Sequence, residues 1–155
     1  MEIPNRERRP IAYLTRKAQI SCCHRLNSPF LSEDENEVIY GKCNNVWGHG
    51  HNYNVEVTVR GPVNPLTGMV MNLEDLKDCM QKVLMDKMDH KNIDKQVDYF
   101  HKMVSTTENV AIYIFNELKK HMFNPELLYE VKVHETDKNV MCFRGEYDEN
   151  VPSAS

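Results

Sequence analysis

The sequence predicts an α+β fold: a four-stranded antiparallel sheet with two helices packed on one face. Three observations carry this reading. From His51 to Arg60 polar and apolar residues alternate strictly, which marks a half-buried strand. Two later segments, from Asn72 and from Ser105, repeat apolar residues at helical spacing. Near the end, "LLYEVKVHE" and "NVMCFRGEY" are joined by "TDKN" and read as an antiparallel hairpin.

Residues 1–10 are polar and are expected to form a flexible arm, residues 11–146 a single domain, and residues 147–155 a flexible tail. "YLTRKAQISCCH" is the first strand, ending near Cys23 and His24. The Asn-, Ser- and acid-rich connection that follows holds a helical turn near Ser32 to Tyr40. Loops of that length inside a domain are functional or disordered. In the second strand Tyr53, Val55, Val57 and Val59 share one face, and Asn52, Asn54, Glu56, Thr58 and Arg60 the other. "GPVNPLTG" ends it with turn residues. Asn72 caps the first long helix, whose stripe is Leu73, Leu76, Met80, Val83, Leu84 and Met88. Ser105 and Glu108 fit a capping box for the second, whose stripe is Val110, Ile114, Leu118 and Met122. The polar second face and the open edges of four strands call for pairing between subunits.

The chain of 155 residues is 41% hydrophobic and 27% charged, with net charge −4 and no long basic run. No nucleic-acid footprint is expected. No apolar run nears the roughly 18 residues of a membrane span. The polar start lacks a signal-peptide pattern, so a cytoplasmic location is expected and the five cysteines should be reduced thiols.

His49 and His51 flank one glycine at the mouth of a strand, so both rings can share a face. Two such nitrogens are half of a zinc site, or simply surface histidines at a strand entry. His24 can supply a third if the first strand pairs beside the second, leaving one position open as in catalytic zinc. Cys22 and Cys23 beside it are rival thiolate ligands, or buried core thiols. Cys43 lies in a loop and becomes reactive only if its proton is withdrawn. His90 could take that proton with Asp89 orienting it, provided the pair sits at a helix end or in the turn beyond; otherwise it complements the helix dipole. Glu135 shares the face of Val131 and Val133, where a carboxylate needs a partner or a ligand unless it turns to solvent. Thr106 and Thr107 either cap the second helix or hold a ligand with its free N–H groups. His101, His121 and His134 have no partner pattern.

The ordered set "SCCHRL", "GKCNN" with "GHGHNY", "TGMVMNLEDLK", "DHKN", "STTENV" and "KVHETD" resembles the 6-pyruvoyl tetrahydropterin synthase family across residues 18 to 146. The resemblance implies the tunnelling fold, with sheets joined into a barrel in a trimer and two trimers stacked as a homohexamer, active sites at subunit interfaces. It implies conversion of 7,8-dihydroneopterin triphosphate to 6-pyruvoyl-tetrahydropterin with triphosphate elimination, on the route to tetrahydrobiopterin. It implies zinc, one per subunit, on His24, His49 and His51, and magnesium assisting the triphosphate. Cys43 would be the base, relayed by Asp89 and His90, and Glu135 would anchor the pterin with Thr106 and Thr107. Three alternatives stand beside it. The first is the 6-carboxy-tetrahydropterin synthase of queuosine biosynthesis, disfavoured by the five residues between Cys43 and His49. The second is a zinc hydrolase, which leaves Cys43 and Glu135 idle. The third is a non-catalytic zinc-stabilised binding protein.

Overall fold

The computed structural model describes residues 1–3 and 8–151. Residues 4–7 of the expected arm and 152–155 of the expected tail lie outside the described residues. Two long strands, β1 (Ile11–His24) and β2 (His49–Pro62), form an antiparallel ribbon in which His24 lies opposite His49 and Cys22 opposite His51. β2 then pairs antiparallel with β4 (Leu128–His134), and β4 with β5 (Val140–Phe143). A fifth strand, β3 (Lys91–Asn92), runs parallel to β1 at Cys22 and Cys23. The sheet is therefore mixed and five-stranded, in the order β3-β1-β2-β4-β5. This corrects the four-stranded antiparallel expectation. A two-residue strand carries no periodicity to read, and this one exists because of a tertiary contact: the His90 N–H donates to the Ser21 carbonyl.

The alternation in β2 does what period two demands. Tyr53, Val55, Val57 and Val59 are all fully buried on one face. Two helices cover it, α2 (Leu73–Met80) and α4 (Thr107–His121), burying Leu76 and Met80 from the first and Val110, Ile114 and Leu118 from the second. Leu128, Val131 and Val133 of β4 complete this core. The other face is polar and self-bonded. Thr15 meets Thr58 at 2.7 Å, Ser21 meets Asn52 at 2.6 Å, and Glu56 takes both Lys17 and His134.

The long connection contains α1 (Glu33–Tyr40), where Ser32 and Glu35 form a capping box, and a 3₁₀ turn at Gly41–Asn44 carrying Cys43. After α2 the backbone widens into a π turn over Gln81–Met85. A short helix, α3 (Ile93–Gln96), follows β3. α4 is capped by Thr106, whose hydroxyl accepts from Asn109 N–H. The Ser105–Glu108 capping box is thus corrected by one residue, because the Ser105 hydroxyl is spent on Asp94. Among the described residues no helix is long and apolar enough to cross a membrane.

Candidate metal centre

The register of β1 on β2 decides the site. His24 and His49 are direct cross-strand partners, and His51 is two residues on, so all three imidazoles leave one face. It is the helix-covered face, since Tyr53 and Val55 continue the same row. One ring nitrogen from each histidine falls within 4.8 Å of the other two.

His24 is 1% exposed. Its Nδ1 donates to the Ser105 carbonyl at 2.8 Å, which assigns the tautomer because a carbonyl can only accept. Its Nε2 is then free of a proton and lies 3.1 Å from His49 Nε2. His51 Nε2 is buried and has no hydrogen-bond partner among the described residues. A buried orphaned nitrogen is costly unless something occupies its lone pair. Two nitrogens bound at 2.0–2.1 Å to one tetrahedral ion sit about 3.3 Å apart. The donor set, its spacing and the orphaned atom all fit one divalent cation such as zinc.

Burial lowers the pKa of His24, against the Ser105 hydrogen bond, and burial lowers that of His51, against the nearby Glu135 carboxylate. Both rings are held neutral, the state that ligates. The thiolate rivals drop out on geometry. The Cys22 thiol donates to the Met88 carbonyl at 3.2 Å, and burial pushes its pKa up to about 12. Cys23 alternates to the opposite face of β1.

Glu135 follows β4 on the face of Val131 and Val133, and its Oε1 comes within 3.5 Å of His51 Nε2. Its own N–H donates to the Asn139 carbonyl, which closes the turn behind it. Thr107 is buried in the first turn of α4, and Thr106 caps that helix. Because Ser105 touches His24, the α4 N-terminus is tied to the imidazole cluster.

Cys43 and the Asp89–His90 pair stand apart. The Cys43 carbonyl is anchored on Leu26 N–H, and the His90 N–H on the Ser21 carbonyl. Those anchors are five residues apart, one in β1 and one two residues beyond its end, up to about 16 Å of chain. Asp89 accepts from Ser21 N–H at 2.8 Å and lies 3.5 Å from His90 Nε2. As expected, the pair occupies the turn after a helix. His90 takes φ +61 and its side chain is 82% exposed. Among the described residues no hydrogen bond joins either member to Cys43.

Sequence reasoning missed three supporting residues. Asp94 and Ser105 hold His24, and Asn36, buried in α1, bonds to Ser28, Leu31 and Ser32. A buried Asn inside a predicted helical turn was the only local signal among them.

The sequence profile of the 6-pyruvoyl tetrahydropterin synthase family matches residues 13–146. The 6-pyruvoyl tetrahydrobiopterin synthase of Drosophila melanogaster is 55% identical over 141 residues, covering 91% of this chain and 84% of the relative. The human 6-pyruvoyl tetrahydrobiopterin synthase is 53% identical over 139 residues, covering 90% and 95%. The solved structure of Caenorhabditis elegans 6-pyruvoyl tetrahydropterin synthase superposes with a TM-score of 0.88 at 50% identity, over 90% of this chain and 99% of that one.

Proposed function

Because this chain belongs to the 6-pyruvoyl tetrahydropterin synthase family, we propose that it converts 7,8-dihydroneopterin triphosphate to 6-pyruvoyl-tetrahydropterin, eliminating triphosphate, in tetrahydrobiopterin biosynthesis. It is a lyase. The observation that carries this reading is the meeting of three imidazoles and one carboxylate, Glu135, on the helix-covered face of the sheet.

His24, His49 and His51 hold one zinc per subunit, with magnesium serving the triphosphate. When bound, zinc supplies Lewis acidity beside the substrate side chain and makes its C–H bonds easier to deprotonate. Glu135 accepts the two N–H groups on the guanidine-like edge of the pterin, and Thr106 and Thr107 brace the ring from the α4 N-terminus. With the ring fixed at Glu135, the side chain extends past His51 toward His49 and His24, so orientation comes from the rigid sheet. Cys43 removes the carbon proton as its thiolate. His90, oriented by Asp89, takes the proton from Cys43. The separation of their anchors, at Ser21 in β1 and at Leu26 beyond its end, favours a relay in which Cys43 of one subunit meets Asp89 and His90 of a neighbour.

Residues 11–146 form the catalytic unit, working in the cytoplasm as a dimer of trimers. The polar sheet face becomes the wall of a barrel, and the short edge strands β3 and β5 are paired or covered.

Incubation with dihydroneopterin triphosphate tests the reaction. The expected product is the 6-pyruvoyl compound with one triphosphate released per turnover. A 6-carboxy product with acetaldehyde, or no turnover by zinc-loaded protein, would overturn the reading. Elemental analysis tests the metal: about one zinc per chain, falling to little in His49→Ala.

A further inference from the structure

We infer that Asp94 is a positioning residue for the metal centre, gripping the third imidazole from both its backbone and its ring side. Asp94 sits in α3, two residues after β3, far in sequence from any ligand. One carboxylate oxygen accepts the backbone N–H of Arg25 at 2.6 Å, the residue immediately after His24. The other accepts the Ser105 hydroxyl. Ser105 is 1% exposed and gives its own carbonyl to His24 Nδ1. The carboxylate therefore sets the chain that leaves His24 and the carbonyl that fixes its tautomer. Among the described residues no hydrogen bond runs from Asp94 to an imidazole, so it acts through these two neighbours.

The residue type follows from the donors. Arg25 N–H and the Ser105 hydroxyl both point hydrogens at Asp94, and only a carboxylate accepts at both ends without rearrangement. An amide at 94 can keep its oxygen on Arg25, but its NH₂ then faces Ser105, whose hydroxyl must turn round. An alanine leaves both donors facing nothing. Outer partners of this kind, which orient a ligating histidine, typically change metal affinity by 10–100-fold when removed.

This rests on the three-histidine metal reading above, and the test separates the two. Zinc-loaded full-length wild type, Asp94→Ala, Asp94→Asn, Ser105→Ala and the Asp94→Ala/Ser105→Ala double variant are titrated against a chromophoric chelator. Thermal unfolding of the metal-free proteins is followed in parallel. Asp94→Ala should weaken zinc binding by about 10–100-fold. Asp94→Asn should show a smaller loss in the same direction. The double variant should be no weaker than Asp94→Ala alone, because the Ser105 hydroxyl acts through Asp94. Cobalt-substituted Asp94→Ala should show an altered visible spectrum, which a merely structural role would not produce. If metal-free stability falls while zinc affinity and the cobalt spectrum stay as in wild type, the inference is overturned. If Asp94→Ala does not fold, Asp94→Asn decides, and wild-type affinity there overturns it. A wild type that takes up no zinc would overturn the metal reading and this inference together.

Discussion

Gly48 has φ +73, and a Cβ there would meet the His24 carbonyl oxygen at 2.7 Å. The left-handed conformation alone costs a non-glycine residue about 1–2 kcal/mol. The contact with His24 is backbone, which cannot swing aside. Gly48→Ala is therefore expected to lose at least about 1–2 kcal/mol in urea unfolding and to bind zinc more weakly than wild type. The imidazoles give a second expectation. Burial lowers the folded pKa of both His24 and His51 below the ordinary value of about 6.5. In the metal-free chain the unfolded state therefore takes up protons first as the pH falls. Stability should be full above about pH 6.5 and decline progressively below it, measured as the urea midpoint across that range. Cys43→Ala should keep zinc and substrate binding while kcat falls by about 10²–10⁴-fold, the usual worth of a positioned base. Near-normal turnover would end its assignment. Much at this scale was legible. His49, His51 and Glu135 announce their faces through strand alternation, and His24 needed only the guess that β1 pairs with β2. Asp94 and Ser105 were not legible, because their contacts span 69 and 81 residues of sequence.

At the scale of elements, α1 matters beyond its length because the turn bearing Cys43 follows it directly. Asn36 ties this helix to its entry loop: its amide donates to Ser28, Leu31 and Ser32 carbonyls and its oxygen accepts Ser28 N–H, all in a site 2% exposed. Asn36→Ala leaves those groups unmatched and should cost on the order of 2–3 kcal/mol. The loss should appear as faster amide exchange across residues 33–44 with zinc content unchanged, since the strands holding the histidines do not depend on α1. Wild-type exchange in that segment would show that the loop is held by something else. The elements legible in the sequence carry a regular alternation or stripe, buried in β2, α2, α4 and β4 and largely half-buried in β1 and β5. Those not legible are defined by single contacts. The π turn at 81–85 is one: it lets Asp89 N–H reach the Leu84 carbonyl and sets the phase at which Asp89 meets Ser21. β3 and α3 are others, each too short to show a period.

For the whole molecule, the informative feature is the separation of Cys43 from His90 within one chain. His90 is anchored in β1 at Ser21 and Cys43 two residues beyond its end at Leu26, so the anchors lie five residues apart, up to about 16 Å of chain. His90 points outward, 82% exposed, from a strained turn at φ +61. A non-glycine residue in that region persists when surrounding structure insists on it, and it is a common mark of functional positions. The sheet presents a polar face and open edges, among them most of β1, which pairs with β3 only at Cys22 and Cys23, and a closed assembly would resolve both. If the relay is shared between neighbours in such an assembly, inactive variants should complement each other. Cys43→Ala and His90→Ala chains, each nearly inactive alone, are unfolded together, refolded with zinc and assayed. Random association gives about a quarter of sites a wild-type Cys43 facing a wild-type His90. Recovery of activity on that order is expected, in particles whose sedimentation matches six chains. A relay closed within one chain would leave the mixture as inactive as its parents, because every chain then lacks one member. The two variants refolded separately and then mixed serve as control, since exchange of chains between formed assemblies should be slow.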